Sequence, residues 1–135
     1  MKIYSSVEKI FLNYNNSNKW EISIQNETYE INLNNDKVTL SLLPFLEQGR
    51  NNIMEQIGDI QRWSTFPELL LIKAGFLSES EYWVNLALNW LEASDLDNID
   101  EFTKHLNQIF SNNLKYSQKV RHKAKKILKK INLDE

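Results

Sequence analysis

The sequence predicts an α+β fold that is mainly α. Two observations lead to this expectation. Apolar and polar residues alternate between residues 20 and 40, as they do in short half-buried strands. Beyond residue 41, apolar residues recur every three or four positions, as they do in amphipathic helices. We therefore expect a short N-terminal helix and a small antiparallel β-meander, packed on a bundle of five or six helices.

The length and composition fit one packed domain. A chain of 135 residues with 41% hydrophobic and 11% aromatic side chains buries roughly two thirds of its unfolded surface. We expect a single domain over residues 1–135, with the short helix and meander in 1–40 and the helical part in 41–135. The absence of cysteine excludes disulfides, thiolate metal sites and a cysteine nucleophile.

The first forty residues contain both kinds of pattern. Ser5 and Glu8 have capping-box spacing, and apolar residues follow at helical intervals up to Tyr14, which predicts the short first helix. Two runs of alternating residues then predict a hairpin that turns near Asn26 and Glu27, followed by a third short strand. The expected strand residues that face the core are Trp20, Ile22, Ile24, Tyr29, Ile31, Leu33, Val38 and Leu40.

The next segments read as short helices separated by turn residues. Ser41 is expected to cap a helix over 42–48 that Gly49 ends, and a helix over 51–62 is weakened by Gly58. That helix is expected to bury Ile53, Met54, Ile57 and Ile60 along one stripe. Capping-box spacings then predict two further helix starts, at Thr65 with Glu68 and at Ser78 with Glu81, with Gly75 between them as a helix end.

Three helices are expected in the last third of the chain. The segment 81–92 is apolar almost all round and predicts a central helix. Asp97 or Asn98 is expected to cap the next helix, and Ser117 the last one. The expected inward residues of these two helices are Ile99, Phe102, Leu106, Ile109 and Phe110, followed by Val120, Ala124, Ile127, Leu128 and Ile131.

The sequence contains no signature of catalysis or metal binding. It has no nucleophile elbow, Walker A loop or dinucleotide fingerprint, and the acidic stretch after Asp95 lacks the glycine and glutamate of a calcium loop. His105 and His122 lie on different expected helices without ligand spacing. We expect no enzyme activity, no cofactor, no metal and no small-molecule ligand.

The layout of charge is the main indication of function. Residues 1–114 carry a formal charge of −8 and residues 115–130 a charge of +8, in a chain with a net charge of −2. The acidic connector before the last two helices is the predicted surface for a cationic protein partner. Trp63 is also a predicted partner-binding residue, because we expect it to be an exposed aromatic side chain near a break between helices. The predicted partner-binding residues are Glu92, Asp95, Asp97, Asp100, Glu101 and Trp63.

The basic last helix offers an alternative interpretation. A row of cations can bind nucleic-acid phosphates, although any amphipathic surface helix also places charges opposite its apolar face. An acidic chain with a pI of 5.7 disfavours nucleic acid as the partner. The alternative nucleic-acid-binding residues are Lys119, Arg121, Lys123, Lys126 and Lys130. A helical scaffold subunit is a third interpretation.

The chain resembles two known groups of proteins. The segment YWVNLALNWLE followed by VRHKAKKILKKI resembles HEAT-type helical hairpins over about half of the chain. In size, acidity and lack of cysteine and catalytic residues, the chain resembles the small bacterial immunity proteins that neutralise toxin domains, such as those of contact-dependent growth inhibition. That second resemblance implies a basic toxin nuclease as partner.

The apolar runs of the sequence are short, which predicts cytoplasmic localisation without a membrane partner. The N-terminal residues lack the apolar core of a secretory signal peptide, and no run approaches the ~20 apolar residues that cross a bilayer.

Overall fold

The structure is a computed structural model that describes residues 1–95 and 99–133. It is α+β and 60% helical, with a four-stranded antiparallel sheet followed by seven α-helices in the described part. The expected α+β, mainly α class is therefore confirmed, whereas the described helices exceed the five or six expected. The strands are β1 (Lys2–Tyr4), β2 (Ile10–Tyr14), β3 (Trp20–Ile24) and β4 (Glu27–Glu30). The helices are α1 (Asp36–Gln48), α2 (Arg50–Ile57), α3 (Ile60–Thr65), α4 (Glu68–Leu77), α5 (Glu81–Ala93), α6 (Thr103–Ser111) and α7 (Gln118–Leu133), with a 3₁₀ turn at Ile99–Phe102 before α6.

The expected N-terminal helix is wrong, because its residues form β1, β2 and the turn between them. The Ser5 hydroxyl donates to the carbonyl of Ile10 at 2.8 Å and accepts the amide of Val7 at 3.1 Å, so it closes a strand-to-strand turn instead of capping a helix. Leu12 pairs with Ile22 across the sheet, and both side chains are fully buried. Pairing with β3 decides the local structure where the apolar spacing fitted both patterns.

The expected hairpin is confirmed, with strands in the order β1-β2-β3-β4. Ile24 pairs with Glu27, which leaves Gln25 and Asn26 as a two-residue turn. Both turn residues have positive φ, 53° and 70°, as the hairpin turn that matches strand twist requires. The turn therefore lies one residue before the expected position.

The expected third strand at Val38 and Leu40 is wrong, because α1 begins at Asp36. The Asn35 side chain accepts the amides of Lys37 and Val38 at 3.0 and 3.4 Å and caps the helix. Helix α1 thus starts five residues before the cap expected at Ser41, and Pro44 lies inside it. Residues 36–40 belong to the helical part of the domain.

Gly58 and Gly75 have different roles, one at the end of a helix and one inside a helix. Gly58 has a φ of 67° and ends α2, so the expected weakening of the 51–62 helix is a complete break. Gly75, expected to end a helix, lies inside α4. A Cβ atom on Gly75 would lie 2.6 Å from the Cβ of Ala87, so this glycine permits close contact between α4 and α5.

The side-chain caps expected at the starts of α4 and α5 also do not form. Pro67 and Ser80 are the residues before these helices, and neither makes a side-chain capping bond. Thr65 instead donates to the carbonyl of Arg62 at 2.8 Å, and Ser78 donates to the carbonyl of Gly75 at 2.6 Å. These hydroxyls therefore satisfy the carbonyls of the preceding helices rather than the amides of the following ones.

One apolar core joins the sheet to the helices. Leu12 and Ile22 of the sheet belong to the same buried cluster as Leu42 and Phe45 of α1. Helices α4 and α5 lie against α1, and α7 contacts both α5 and α6. The inward residues expected on α7 are confirmed, with Leu128 half-buried, and Ser117 accepts the amide of Val120 at 3.3 Å as its cap. The expected inward side chains of Leu40 and Phe110 are exposed instead. Asp97 and Asn98, the expected caps of α6, lie outside the described residues.

Candidate functional site

The acidic connector is partly neutralised within the molecule. Glu92, in the last turn of α5, accepts a hydrogen bond from Lys126 of α7 at 3.1 Å, and Glu101 pairs with Lys73 of α4. Asp95 and Asp100 are exposed and make no ion pair with the described residues. Asp97 lies outside the described residues. Two of the five predicted carboxylates therefore already have cationic partners.

Trp63 lies on α3 at the edge of an aromatic cluster and is half-buried, rather than exposed as expected. Its ring stacks on Phe66 with centroids 5.2 Å apart, and Phe66 contacts Trp20 and Trp90 in turn. The guanidinium carbon of Arg50 lies 5.2 Å from the Trp63 ring centroid, close enough for a cation–π interaction. Packing therefore holds Trp63 in a fixed orientation at the surface.

Two clefts border Trp63. The first has a volume of about 420 Å³ and is here called the Asp95 cleft; its lining includes Arg50, Trp63, Phe66, Glu68, Leu69 and Asp95. The second has a volume of about 380 Å³ and is called the Met54 cleft; its lining includes Met54, Glu55, Gly58, Asp59, Ile60 and Trp63. Together they form the Trp63 surface. The structure thus brings together Trp63 and Asp95, two predicted site residues 32 positions apart in the chain.

A buried ion pair lines the Asp95 cleft. Arg50 is the first residue of α2 and Glu68 the first of α4, and the Arg50 Nε donates to a Glu68 carboxylate oxygen. Each side chain is 9% exposed. Each charge of the pair stabilises the other, because either charge alone would cost free energy in this buried environment. Since the two charges compensate each other, Asp95 supplies the remaining charge of this cleft.

The Met54 cleft follows from the break at Gly58. The left-handed turn redirects the chain, so Ile60 leaves the apolar stripe of α2 on which it was expected and is 86% exposed. Ile53 and Ile57 remain buried as expected, and Met54 is half-buried. The result is an exposed apolar recess beside Trp63.

Acidic groups surround this apolar recess. Asp59 caps α3 through one carboxylate oxygen, which accepts the amides of Gln61 and Arg62, and Glu55 is exposed. The lining of the two clefts contains four carboxylates and one guanidinium, a formal charge of −3. Apolar contact area surrounded by negative charge is a surface that favours a cationic protein partner.

Sequence reasoning missed Arg50, Glu55, Asp59 and Ile60. The sequence signal for Ile60 and Asp59 was the glycine at position 58, because a helix break changes the phase of the residues that follow it. The sequence pattern does not single out Glu55, because its position in the same cleft as Trp63 depends on the fold. No local signal pairs Arg50 with Glu68, which are 18 residues apart.

Some cations of the basic helix α7 make contacts inside the molecule. The Lys123 ammonium donates to Asn85 and Asn89 of α5 at 2.7 and 2.9 Å, and burial followed by repulsion from Lys119 lowers its pKa. Lys126 pairs with Glu92.

A third member of the basic set is also engaged within the chain. Arg121 donates to the carbonyl of Tyr116 at 3.2 Å. Lys119 and Lys130 are exposed without a hydrogen-bond partner among the described residues. Three of the five alternative nucleic-acid-binding residues therefore have internal partners, which weakens that interpretation.

The histidines do not form a metal site within residues 1–95 and 99–133. His105 stacks on Phe76 with ring centroids 5.6 Å apart, and burial lowers its pKa, with Lys73 and Lys104 adding to the effect. His122 is exposed on α7. In the same described ranges, no group of three or more histidine, aspartate or glutamate side chains is placed to hold a metal ion.

No helix within the described residues has both the length and the apolar character that crossing a membrane requires. Comparison of the chain with protein-family models, curated proteins and solved structures finds no match. The resemblances to HEAT-type hairpins and to immunity proteins therefore stay predictions.

Proposed function

We propose that this chain is a non-enzymatic protein-binding module that recognises a cationic protein through the Trp63 surface. The observation that carries the proposal is the meeting of Trp63 and Asp95 in one cleft. Each was predicted to bind a partner for a separate reason, one as an aromatic and one as an acidic residue. Tryptophan held by packing beside a desolvated cleft is a frequent source of binding energy at protein interfaces.

The best candidate for the activity is that of an immunity protein. A basic toxin nuclease needs its cationic surface to hold nucleic acid, so an acidic protein that covers this surface blocks the substrate. Negative charge around Trp63 increases the rate of encounter, and the apolar contacts slow dissociation. Of the acidic connector, Asp95 contributes directly, whereas Glu92 and Glu101 are held by Lys126 and Lys73.

The test uses the product of the neighbouring open reading frame, measured by titration calorimetry and by inhibition of its nuclease activity. We expect Trp63→Ala and Asp95→Lys each to weaken binding by at least about tenfold, the range typical of interface anchors. Glu8→Lys is the matched control, because Glu8 is exposed in the β1–β2 turn and undergoes the same change of charge.

Two different outcomes would contradict two different parts of the proposal. Equal affinities of the Asp95→Lys and Glu8→Lys variants would remove the Trp63 surface from the proposal, even if the two proteins bind. A neighbouring product that neither binds nor is inhibited would remove the toxin assignment.

A further inference from the structure

We propose that the Trp63 surface binds two adjacent side chains of its partner, an apolar one in the Met54 cleft and a cationic one in the Asp95 cleft. This inference rests on the proposed function and specifies the chemistry of the partner. Both clefts share Trp63 as a wall, so the two side chains must be neighbours on the partner's surface. Residues two apart on a strand or three to four apart on a helix meet that requirement.

The Met54 cleft selects an apolar side chain. Met54, Ile60 and Trp63 provide its apolar contacts, and Ile60 has little contact within its own chain, since it is 86% exposed. Methionine adapts its shape to different occupants because its side chain is unbranched. Leucine, isoleucine, methionine or phenylalanine from a partner fits this chemistry, and its burial would cover Ile60 as well.

The Asp95 cleft selects a long cationic side chain. Phe66, Leu69 and Leu70 form apolar walls against which the methylene stem of lysine or arginine can pack, while the charged end reaches Asp95 at the surface. Arg50 does not oppose this binding strongly, because the adjacent Glu68 compensates its charge. The charge that remains in the cleft is negative, which disfavours an acidic occupant.

The indole N–H is the polar group of Trp63, the residue that lines both clefts. In the same aromatic cluster, Trp20 donates to Thr65 at 3.2 Å and Trp90 donates to the carbonyl of Leu46 at 3.0 Å. Among the described residues no side chain or carbonyl accepts a hydrogen bond from the Trp63 Nε1. In the proposed complex this N–H would donate to a main-chain carbonyl of the bound segment.

Small probes test the two clefts without the natural partner. The full ¹⁵N-labelled chain is titrated with N-acetyl-arginine methylamide, N-acetyl-leucine methylamide and N-acetyl-glutamate methylamide, and the Trp63 indole resonance is followed by NMR. A Trp63→Phe variant assigns that resonance. We expect the arginine and leucine probes to shift it with dissociation constants on the order of 1–10 mM, as single side chains bind, and each probe to bind when the other is already present.

Two variants separate the clefts. Asp95→Asn should weaken the arginine probe at least about fivefold and leave the leucine probe unchanged, and Ile60→Asn should do the reverse. Both side chains are exposed, so both variants should keep the circular dichroism spectrum of the parent chain. High salt should weaken the arginine probe alone, since screening acts on charge.

Three results would overturn the two-cleft inference. They are the absence of any shift up to the solubility limit, competition between the arginine and leucine probes, and a stronger shift with the glutamate probe, which would make Arg50 the centre of an anion site. These results do not depend on the neighbouring gene product. Failure of that product to bind, with the probe results intact, would reject the toxin assignment and leave the two clefts standing.

Discussion

At the scale of single residues, the ion pair between Arg50 and Glu68 has the largest expected effect on stability. Glu68→Gln leaves the Arg50 charge in a site where both side chains are 9% exposed. We expect a loss of about 3 kcal/mol in the free energy of unfolding, because an uncompensated buried charge costs that much. Replacing both residues, as Arg50→Met with Glu68→Leu, should recover most of the loss. Urea unfolding followed by tryptophan fluorescence measures both values.

The matched control is the ion pair between Lys73 and Glu101, whose side chains are 29% and 40% exposed. Glu101→Gln removes the same kind of charge from a site that water screens, so we expect a loss below about 1 kcal/mol. Equal losses for Glu68→Gln and Glu101→Gln would contradict the assignment of the first pair as a buried support of the Asp95 cleft.

At the scale of elements, two glycines are required for different reasons. Gly58→Ala places a side chain at a φ of 67°, and we expect a cost of about 1–2 kcal/mol from the left-handed backbone. Gly75→Ala forces a Cβ within 2.6 Å of Ala87 and should cost about 1–3 kcal/mol through separation of α4 and α5. Thermal and urea unfolding of both variants give these values.

Asparagine distinguishes the two causes. Asn tolerates the left-handed conformation, so Gly58→Asn should be less destabilising than Gly58→Ala. At Gly75 the larger side chain should be more destabilising than alanine, because the contact is steric. The same order of Ala and Asn at both positions would show that one of these explanations is wrong.

The elements that can be predicted from the sequence are those with long, clear periodicity. Helices α5 and α7 and the β3–β4 hairpin are confirmed, because many residues agree on one period or because a two-residue turn fixes the register. The helix expected from Ser5 to Tyr14 is wrong, since the few apolar residues there fit a helix and a strand equally. Pairing with β3, which no local pattern shows, decides the structure of that region.

At the scale of the whole molecule, the candidate surface can be predicted only in part. Residue type and local charge identify Trp63 and Asp95 singly, but their common cleft depends on how α3, α4 and the end of α5 pack. The pairing of Glu92 with Lys126 is equally hidden, because 34 residues separate them. The sequence shows which residues are charged, but only the fold shows which of these charges are paired within the molecule.

The charge distribution also predicts how the intact chain treats nucleic acid. Three cations of α7 have internal partners, and the chain as a whole carries a formal charge of −2. We therefore expect no binding of a duplex of about 20 base pairs or of a single strand at ~50 mM salt, measured by fluorescence anisotropy. A free peptide of residues 115–130 is the positive control, because its eight cations lack both the internal partners and the acidic remainder of the chain.

The peptide should bind with an affinity that falls steeply with salt, by about 0.9 log units per phosphate contact for each log unit of salt. If the intact chain binds with a similar slope, the cations of α7 contact phosphates in spite of their internal partners and of the acidic remainder of the chain. The nucleic-acid interpretation built on Lys119, Arg121, Lys123, Lys126 and Lys130 would then replace the protein-binding one. If only the peptide binds, the internal contacts of α7 and the acidic remainder of the chain together prevent nucleic-acid recognition by the intact protein.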